Sequence, residues 1–183
     1  MTELETELQR AALAVHVPDV ARMRAMGLLN PGFHAVNERH HPFGIASVTD
    51  AGGGQYVPDP DGGRALIVPV YDGAELVDLV AFHTITPERW LLRHGIGWAL
   101  GREESLERYR WGDPLPLHKT PLDWLKAGCD GLCVVDWEAP EVSTLADFPT
   151  LLIRDDALER RTIAALTKPS RLPHIAKDVP LAA

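Results

Sequence analysis

Three short apolar runs in the C-terminal part of the chain each end in a side chain that could do chemistry. The first run ends in His118, the second is followed by Asp136, and the third is followed by the pair Asp155 and Asp156. Imidazoles and carboxylates act as general acids and bases, and carboxylates are also the protein ligands that Mg²⁺ prefers. These four residues are therefore the candidate catalytic residues.

Helix-like segments separate the three apolar runs, which lie at residues 115–118, 132–135 and 151–153. Continuous apolar runs are typical of strands buried on both faces, and their alternation with helices predicts a parallel sheet. The carboxyl ends of parallel strands meet at one edge, where α/β proteins bind their ligands. The sequence therefore predicts a βαβαβα unit with the candidate residues at a common edge.

Two cations stand at the same predicted strand ends. Lys119 follows the first strand, and Arg154 follows the third, directly before the acidic pair. They are candidate nucleic-acid-binding residues at a local site. Asp155 and Asp156 also have a structural interpretation, because acidic residues before a helix cap its free N–H groups and complement its dipole.

The N-terminal segment, residues 1–32, predicts a helical hairpin. Thr2 and Glu5 form a capping-box pattern at the start of the first helix. The apolar stripe of the hairpin either joins the core or docks a protein partner or a second copy of the chain. In the docking alternative the stripe is exposed in the monomer, and its members are Leu4, Leu8, Met23 and Leu28.

Residues 33–113 predict an antiparallel β meander, with strands at 64–71 and 76–83 around an Asp-Gly turn. Residues 114–183 then hold the parallel-sheet unit. The fold class is α/β, or α+β when the whole chain is considered. The adjacent His40 and His41 are expected in a solvated loop, and a short final strand is expected near His174.

The composition and the missing motifs disfavour several classes of function for this protein. The chain has 183 residues, 45% hydrophobic and 24% charged, with a formal net charge of −8. An acidic surface disfavours nucleic-acid binding over the whole molecule and binding to membrane surfaces, so any nucleic-acid contact is local. No signal peptide or membrane span is recognisable, which predicts a cytoplasmic protein without a membrane partner. A nucleophile elbow, a Walker loop and a dinucleotide fingerprint are all missing from the sequence.

The order of these segments resembles the catalytic core of bacterial and phage-type DNA primases. LIVPVYDGAELVDLVAF followed by WLLRHGIGWALG is similar to the small β-rich subdomain that precedes the Toprim (topoisomerase–primase) domain. LLIRDDALERRTIAAL is similar to the Toprim strand that ends in an Asp-x-Asp motif and runs into a helix. The resemblance covers roughly residues 43–167, and it implies a Toprim-like fold.

The chain departs from the Toprim pattern at the residues that carry the chemistry. The glutamate that the family uses as metal ligand or general acid/base would fall near Lys119 or Thr120. The Asp-x-Asp motif stands here as Arg154-Asp155-Asp156, with the carboxylates adjacent instead of alternate. Carboxylates at alternate positions can share one metal ion, whereas neighbouring ones diverge.

Three functions follow as hypotheses. The first is a catalytically inactive primase-like domain with an accessory or binding role in DNA replication or in a mobile element, without a cofactor. The second is a metal-dependent phosphotransfer or hydrolase enzyme, in which Mg²⁺ is held by Asp155 and Asp156 with Asp136 and His118 nearby. The third is a structural or protein-interaction domain that docks its partner on the N-terminal helices.

Overall fold

A computed structural model describes residues 1–28, 43–109 and 112–167. Fourteen regular elements and one 3₁₀ helix follow one another along these residues. In chain order they are α1 (Glu3–Leu13), α2 (Val17–Ala25), β1 (Gly44–Gly52), β2 (Gln55–Pro58), β3 (Gly63–Asp72), β4 (Glu75–Phe82), β5 (Trp90–Leu92), β6 (Ala99–Leu100), α3 (Arg102–Tyr109), β7 (Leu115–His118), α4 (Pro121–Lys126), β8 (Leu132–Val134), the 3₁₀ helix (Pro140–Asp147), β9 (Leu151–Leu152) and α5 (Asp156–Thr167).

The predicted helical hairpin is present as α1 and α2, and the capping box at its start is confirmed. The Glu5 N–H donates to Thr2 Oγ1 at 3.2 Å, and the Thr2 N–H donates to Glu5 Oε2 at 2.6 Å. Polar contacts hold α1 against the strands, because Glu7 accepts hydrogen bonds from Tyr56 at 2.8 Å and from Arg93 at 2.9 Å. Burial, and then the Glu7 carboxylate, raises the pKa of the Tyr56 hydroxyl above its usual range.

The apolar stripe of the hairpin lies in the core. Its four members are between 1% and 8% exposed, namely Leu4, Leu8, Met23 and Leu28. The hypothesis that a partner docks on this stripe required these side chains to be exposed in the monomer, and the structure buries them instead. The physical reason is that the hairpin packs on the β-strands and so covers its own apolar face.

The strands of the middle segment form a closed barrel with the order β1-β2-β5-β4-β3. β3 is antiparallel to β1 and β4, β4 is antiparallel to β5, and β1 is antiparallel to β2. β2 closes the ring beside β5, with Gln55 paired to Leu92 in parallel. The predicted antiparallel meander is therefore wrong in its topology, although its strands at 64–71 and 76–83 are confirmed.

The barrel closes because of a strand that the sequence pattern does not reveal. Gly52, Gly53 and Gly54 all have positive φ, which lets the chain reverse tightly after β1. β2 then lies against β1 and carries Tyr56, whose side chain is fully buried. With only four residues, β2 is too short to show a clear alternation of apolar and polar residues.

A buried carboxylate organises the segment that leaves the barrel. Asp78 in β4 is 0% exposed, and it accepts five backbone N–H hydrogen bonds. Its Oδ1 accepts from Leu79, Arg93 and His94 at 2.8 to 3.0 Å, and its Oδ2 accepts from Ile96 and Gly97 at 2.7 and 3.0 Å. The connection between β5 and β6 is thus folded around one side chain.

The second sheet has four strands in the order β6-β8-β7-β9. β7 pairs in parallel with β8 and with β9, as the three apolar runs predict. β6 is antiparallel to β8, so the sheet is mixed and the prediction of a purely parallel sheet is wrong at this edge. β6 has only two residues, and it lies in the segment that was predicted to belong to the β-rich subdomain.

The two faces of the second sheet are covered differently. Leu115 and Leu117 of β7 pack with Leu145 of the 3₁₀ helix and Leu158 of α5 in one apolar cluster. Successive strand residues point to opposite faces, so Pro116 and His118 lie on the other face. On that face the edge strand β9 carries Leu152, which is 44% exposed, and the sheet borders a cleft there.

Several predictions fall outside the part of the chain that the structure describes. These are the loop with His40 and His41, the strand near His174, and the boundary between residues 32 and 33. Within the described ranges, no helix is long and apolar enough to cross a membrane.

Candidate functional site

A cleft of about 540 Å³ lies between α4 and α5 at the carboxyl ends of β7 and β9. Its size is in the range of small-molecule sites. The residues that line it come from both strand ends, from both helices and from the loop before β8, and they are Pro116, Leu117, His118, Lys119, Asp123, Lys126, Ala127, Asp130, Leu152, Arg154, Asp155 and Leu158.

The strand register brings four predicted residues into this cleft. β7 and β9 are paired in parallel, with Leu115 beside Leu151 and Pro116 beside Leu152. The same offset sets His118 near Arg154 and Lys119 near Asp155, just beyond the paired residues. A catalytic candidate and a cationic candidate from each strand end therefore share one surface, as the parallel arrangement predicts.

Asp155 caps α5 and pairs with a lysine at the same time. Its Oδ1 accepts the Leu158 N–H at 2.8 Å, and its Oδ2 lies 3.3 Å from Lys119 Nζ. The hydrogen bond from Leu158, followed by the nearby Lys119 ammonium, holds the pKa of the Asp155 carboxyl below its usual value. The helix-capping interpretation of this residue is confirmed, and the carboxylate stays ionised at neutral pH.

His118 is held in one tautomer. Its Nε2 lies 2.8 Å from the carbonyl oxygen of Asp130, and since a carbonyl can only accept, Nε2 carries the proton. Burial lowers the pKa of the His118 imidazole, so the ring is neutral at pH 7. Its other nitrogen, Nδ1, is then a hydrogen-bond acceptor on a side chain that lines the cleft.

Asp130 is a site residue that the sequence analysis missed. Its Oδ1 accepts hydrogen bonds from Arg108 at 2.9 Å and from Tyr109 at 2.5 Å, so α3 fixes the loop whose carbonyl orients His118. Burial and the hydrogen bond to Asp130 raise the pKa of Tyr109 to about 12. The partners are more than twenty residues apart in sequence, and no local pattern links them.

Asp136 and Asp156 do not line the cleft. The Asp136 carboxylate accepts the Glu138 N–H at 2.9 Å and so stabilises the turn after β8. Asp156 is exposed in the first turn of α5. The structure therefore brings together two of the four catalytic candidates, His118 and Asp155, and leaves the other two apart.

The described residues contain no group of three or more His, Cys, Asp or Glu side chains placed to hold a metal ion. Asp155, one of the two carboxylates of the Arg154-Asp155-Asp156 segment, is paired with Lys119. Mg²⁺ binding by Asp155 and Asp156 together is not supported by this geometry, because only Asp155 faces the cleft.

The cleft has equal numbers of cationic and anionic side chains, whereas the molecule as a whole is acidic. Among the described residues, three cationic side chains line it, Lys119, Lys126 and Arg154, against three carboxylates. Each carboxylate is engaged, since Asp155 caps α5, Asp130 binds α3, and Asp123 accepts from Thr120 Oγ1 at 2.7 Å. Arg154 is exposed. The arrangement can bind an anionic group beside a hydrogen-bond donor, with Arg154 as the cation and His118 as the acceptor.

Comparisons with family models, with curated proteins and with solved structures find no match to this chain. The resemblance to Toprim domains thus stays a prediction from the sequence.

Proposed function

We propose that this chain is a catalytically inactive, primase-like binding module that contacts nucleic acid at a local site in DNA replication or in a mobile element. The observation that carries the proposal is the placement of Lys119 and Arg154 in one cleft at the carboxyl ends of parallel-paired strands. Cations of this kind bind the phosphates of a nucleic-acid strand.

The state of the acidic residues supports binding over phosphotransfer. A two-carboxylate Mg²⁺ site needs oxygens that converge and remain available to the metal. Here Asp155 is engaged by α5 and Lys119, and Asp136 by its own turn. The alternative metal-dependent enzyme required Asp155, Asp156, Asp136 and His118 to converge on one pocket, and only His118 and Asp155 line the cleft.

The net charge of −8 limits the extent of the contact. An acidic protein gains little from long-range attraction to a polyanion, so binding depends on a few direct phosphate contacts. We therefore expect weak binding of a short single strand, with a shallow dependence on salt concentration.

The test is the fluorescence anisotropy of a labelled single-stranded oligodeoxynucleotide titrated with the full chain at low salt. Lys119→Ala and Arg154→Ala should each weaken binding about two- to fivefold, as expected for exposed charge contacts. Arg160→Ala is the matched control, because it removes a cation from an exposed position of α5 that does not line the cleft. Equal losses in all three variants, or no binding by the unmodified chain, would refute the proposal.

A further inference from the structure

Lys119 does not face the cleft as a free cation. Its ammonium lies 3.3 Å from Asp155 Oδ2, and both side chains are partly exposed, 42% for Lys119 and 38% for Asp155. A phosphate that binds Lys119 must therefore compete with a carboxylate of the protein itself.

Asp155 cannot easily move away from this position. Its second oxygen, Oδ1, accepts the Leu158 N–H at 2.8 Å, which ties the carboxylate to the first turn of α5. The α5 helix is in turn packed in the core through Leu158, which is 5% exposed. The carboxylate is thus a fixed negative charge at the rim of the cleft that would receive the phosphate.

From this geometry we infer that Asp155 is a built-in competitor for phosphate, which weakens the binding of nucleic acid by occupying Lys119. The inference rests on the proposed function and deepens it, because it names the residue that sets the affinity of the same cleft. It gives Asp155 the opposite role from that of a metal ligand, which would promote chemistry at this position.

The variant Asp155→Asn removes the negative charge of the side chain and retains its ability to cap the helix. Asparagine is as good an N-cap as aspartate, so the hydrogen bond from Leu158 can be kept while the negative charge is removed. Asp155→Ser is a second neutral variant that also caps helices well. Thermal unfolding of both variants shows whether α5 remains intact.

Binding is measured by anisotropy with the same labelled single-stranded oligodeoxynucleotide. Without the charge of Asp155, we expect binding to be about two- to fivefold tighter at low salt, the size of an exposed charge interaction. Relief of this competition strengthens the phosphate contact of Lys119, so the slope of log affinity against log salt should become steeper, by up to about 0.7. A purely structural role of Asp155 would not change this slope.

Asp156→Asn is the matched control, since it removes the same charge from the adjacent residue, which does not line the cleft. It should leave the salt slope unchanged. Combining Lys119→Ala with Asp155→Asn should abolish the gain that Asp155→Asn gives alone.

Three results would overturn the inference. They are unchanged or weaker binding by both neutral Asp155 variants, an equal gain from Asp156→Asn, and a gain that survives the loss of Lys119. Absence of binding by the unmodified chain would overturn the proposed function itself, and the inference with it.

Discussion

At the residue scale, His118 shows how a backbone contact decides the chemistry of a side chain. The Asp130 carbonyl accepts from Nε2, which leaves Nδ1 as the free nitrogen of a neutral ring. Asp123 and Asp130 favour the protonated ring, whereas burial, the largest effect, and Arg154 favour the neutral ring. The result is an imidazole that accepts hydrogen bonds from a ligand at neutral pH.

The lowered pKa of His118 makes stability depend on pH. The unfolded chain binds a proton at His118 below about pH 6.5, while the folded chain resists it until the pH falls further. Above about pH 6.5, the buried neutral His118 therefore contributes fully to the free energy of unfolding. This contribution is lost as the pH falls from there through the lower pKa of the folded chain. We expect urea denaturation between pH 7 and pH 5 to show this loss, and His118→Asn to reduce it.

The control for this measurement is His83→Asn, at an exposed histidine. If the pH dependence of unfolding is the same in the His118 and His83 variants, burial of His118 does not contribute to it. An NMR titration of the His118 ring should give a midpoint below about 6.5.

At the element scale, the strands that the sequence analysis identified are those with long apolar runs or strong turn signals. β3 and β4 flank an Asp-Gly turn, β7 is apolar up to its last residue, His118, and β8 is continuously apolar. β2 and β6 have neither signal, because β2 reads Gln-Tyr-Val-Pro and β6 is the single pair Ala-Leu. β2 closes the barrel, and β6 makes the second sheet mixed. The two strands that were not predicted are therefore the ones that make the observed topology differ from the predicted topology.

The candidate site also has a part that the sequence predicts and a part that it does not. The hydrophobic pattern predicts parallel strands, whose carboxyl ends lie at one edge, so the meeting of His118, Lys119, Arg154 and Asp155 was predictable. The exclusion of Asp136 was not, because it depends on the strand order, which puts β8 on the opposite side of β7 from β9. The role of Asp130 depends on α3, a contact between distant parts of the chain.

The docking of α1 on β1 depends on the absence of a side chain at Gly44. A Cβ at Gly44 would lie 2.5 Å from the Ala11 carbonyl carbon, which is backbone and cannot move aside alone. Gly44→Ala should therefore push α1 away from the strands and destabilise the fold by roughly 1–3 kcal/mol, the usual cost of overpacking. Urea denaturation measures this loss.

Gly63→Ala is the control for Gly44→Ala. At Gly63 the nearest atom to an added Cβ is His83 Cε1 at 3.3 Å, on an exposed side chain that can shift. A loss of stability as large at Gly63 as at Gly44 would mean that the close approach of α1 is not the cause.

At the scale of the whole molecule, one apolar cluster joins the barrel to the second sheet. It contains Val68 and Val80 of the barrel together with Leu100 of β6 and Leu125 of α4. Trp90 of β5 adds a polar link, because its Nε1 donates to the Val135 carbonyl at 2.9 Å. Because this shared cluster is buried between the barrel and the second sheet, we expect the two sheets to unfold together.

The pair of variants Trp90→Phe and Trp98→Phe tests the polar link. Both remove an indole N–H, but Trp98 Nε1 has no hydrogen-bond partner among the described residues. Trp90→Phe should lose about 1 kcal/mol through its hydrogen bond, whereas any loss in Trp98→Phe comes from packing alone. Far-UV circular dichroism and the fluorescence of the remaining tryptophans should report one common urea transition in each variant.

Unchanged stability in Trp90→Phe would show that the link between Trp90 and Val135 adds nothing to stability. Separate transitions by the two probes would show that the barrel and the second sheet unfold independently.

The carboxylate of Asp78 should control how four backbone amide protons exchange with solvent. It binds the N–H groups of Arg93, His94, Ile96 and Gly97, which lie in the irregular connection between the two sheets. Amide protons held this way exchange with water only when their acceptor is released, and here one buried side chain is the acceptor for all four. This connection should therefore exchange its amide protons as slowly as a central strand, and all four should be released in a single opening event.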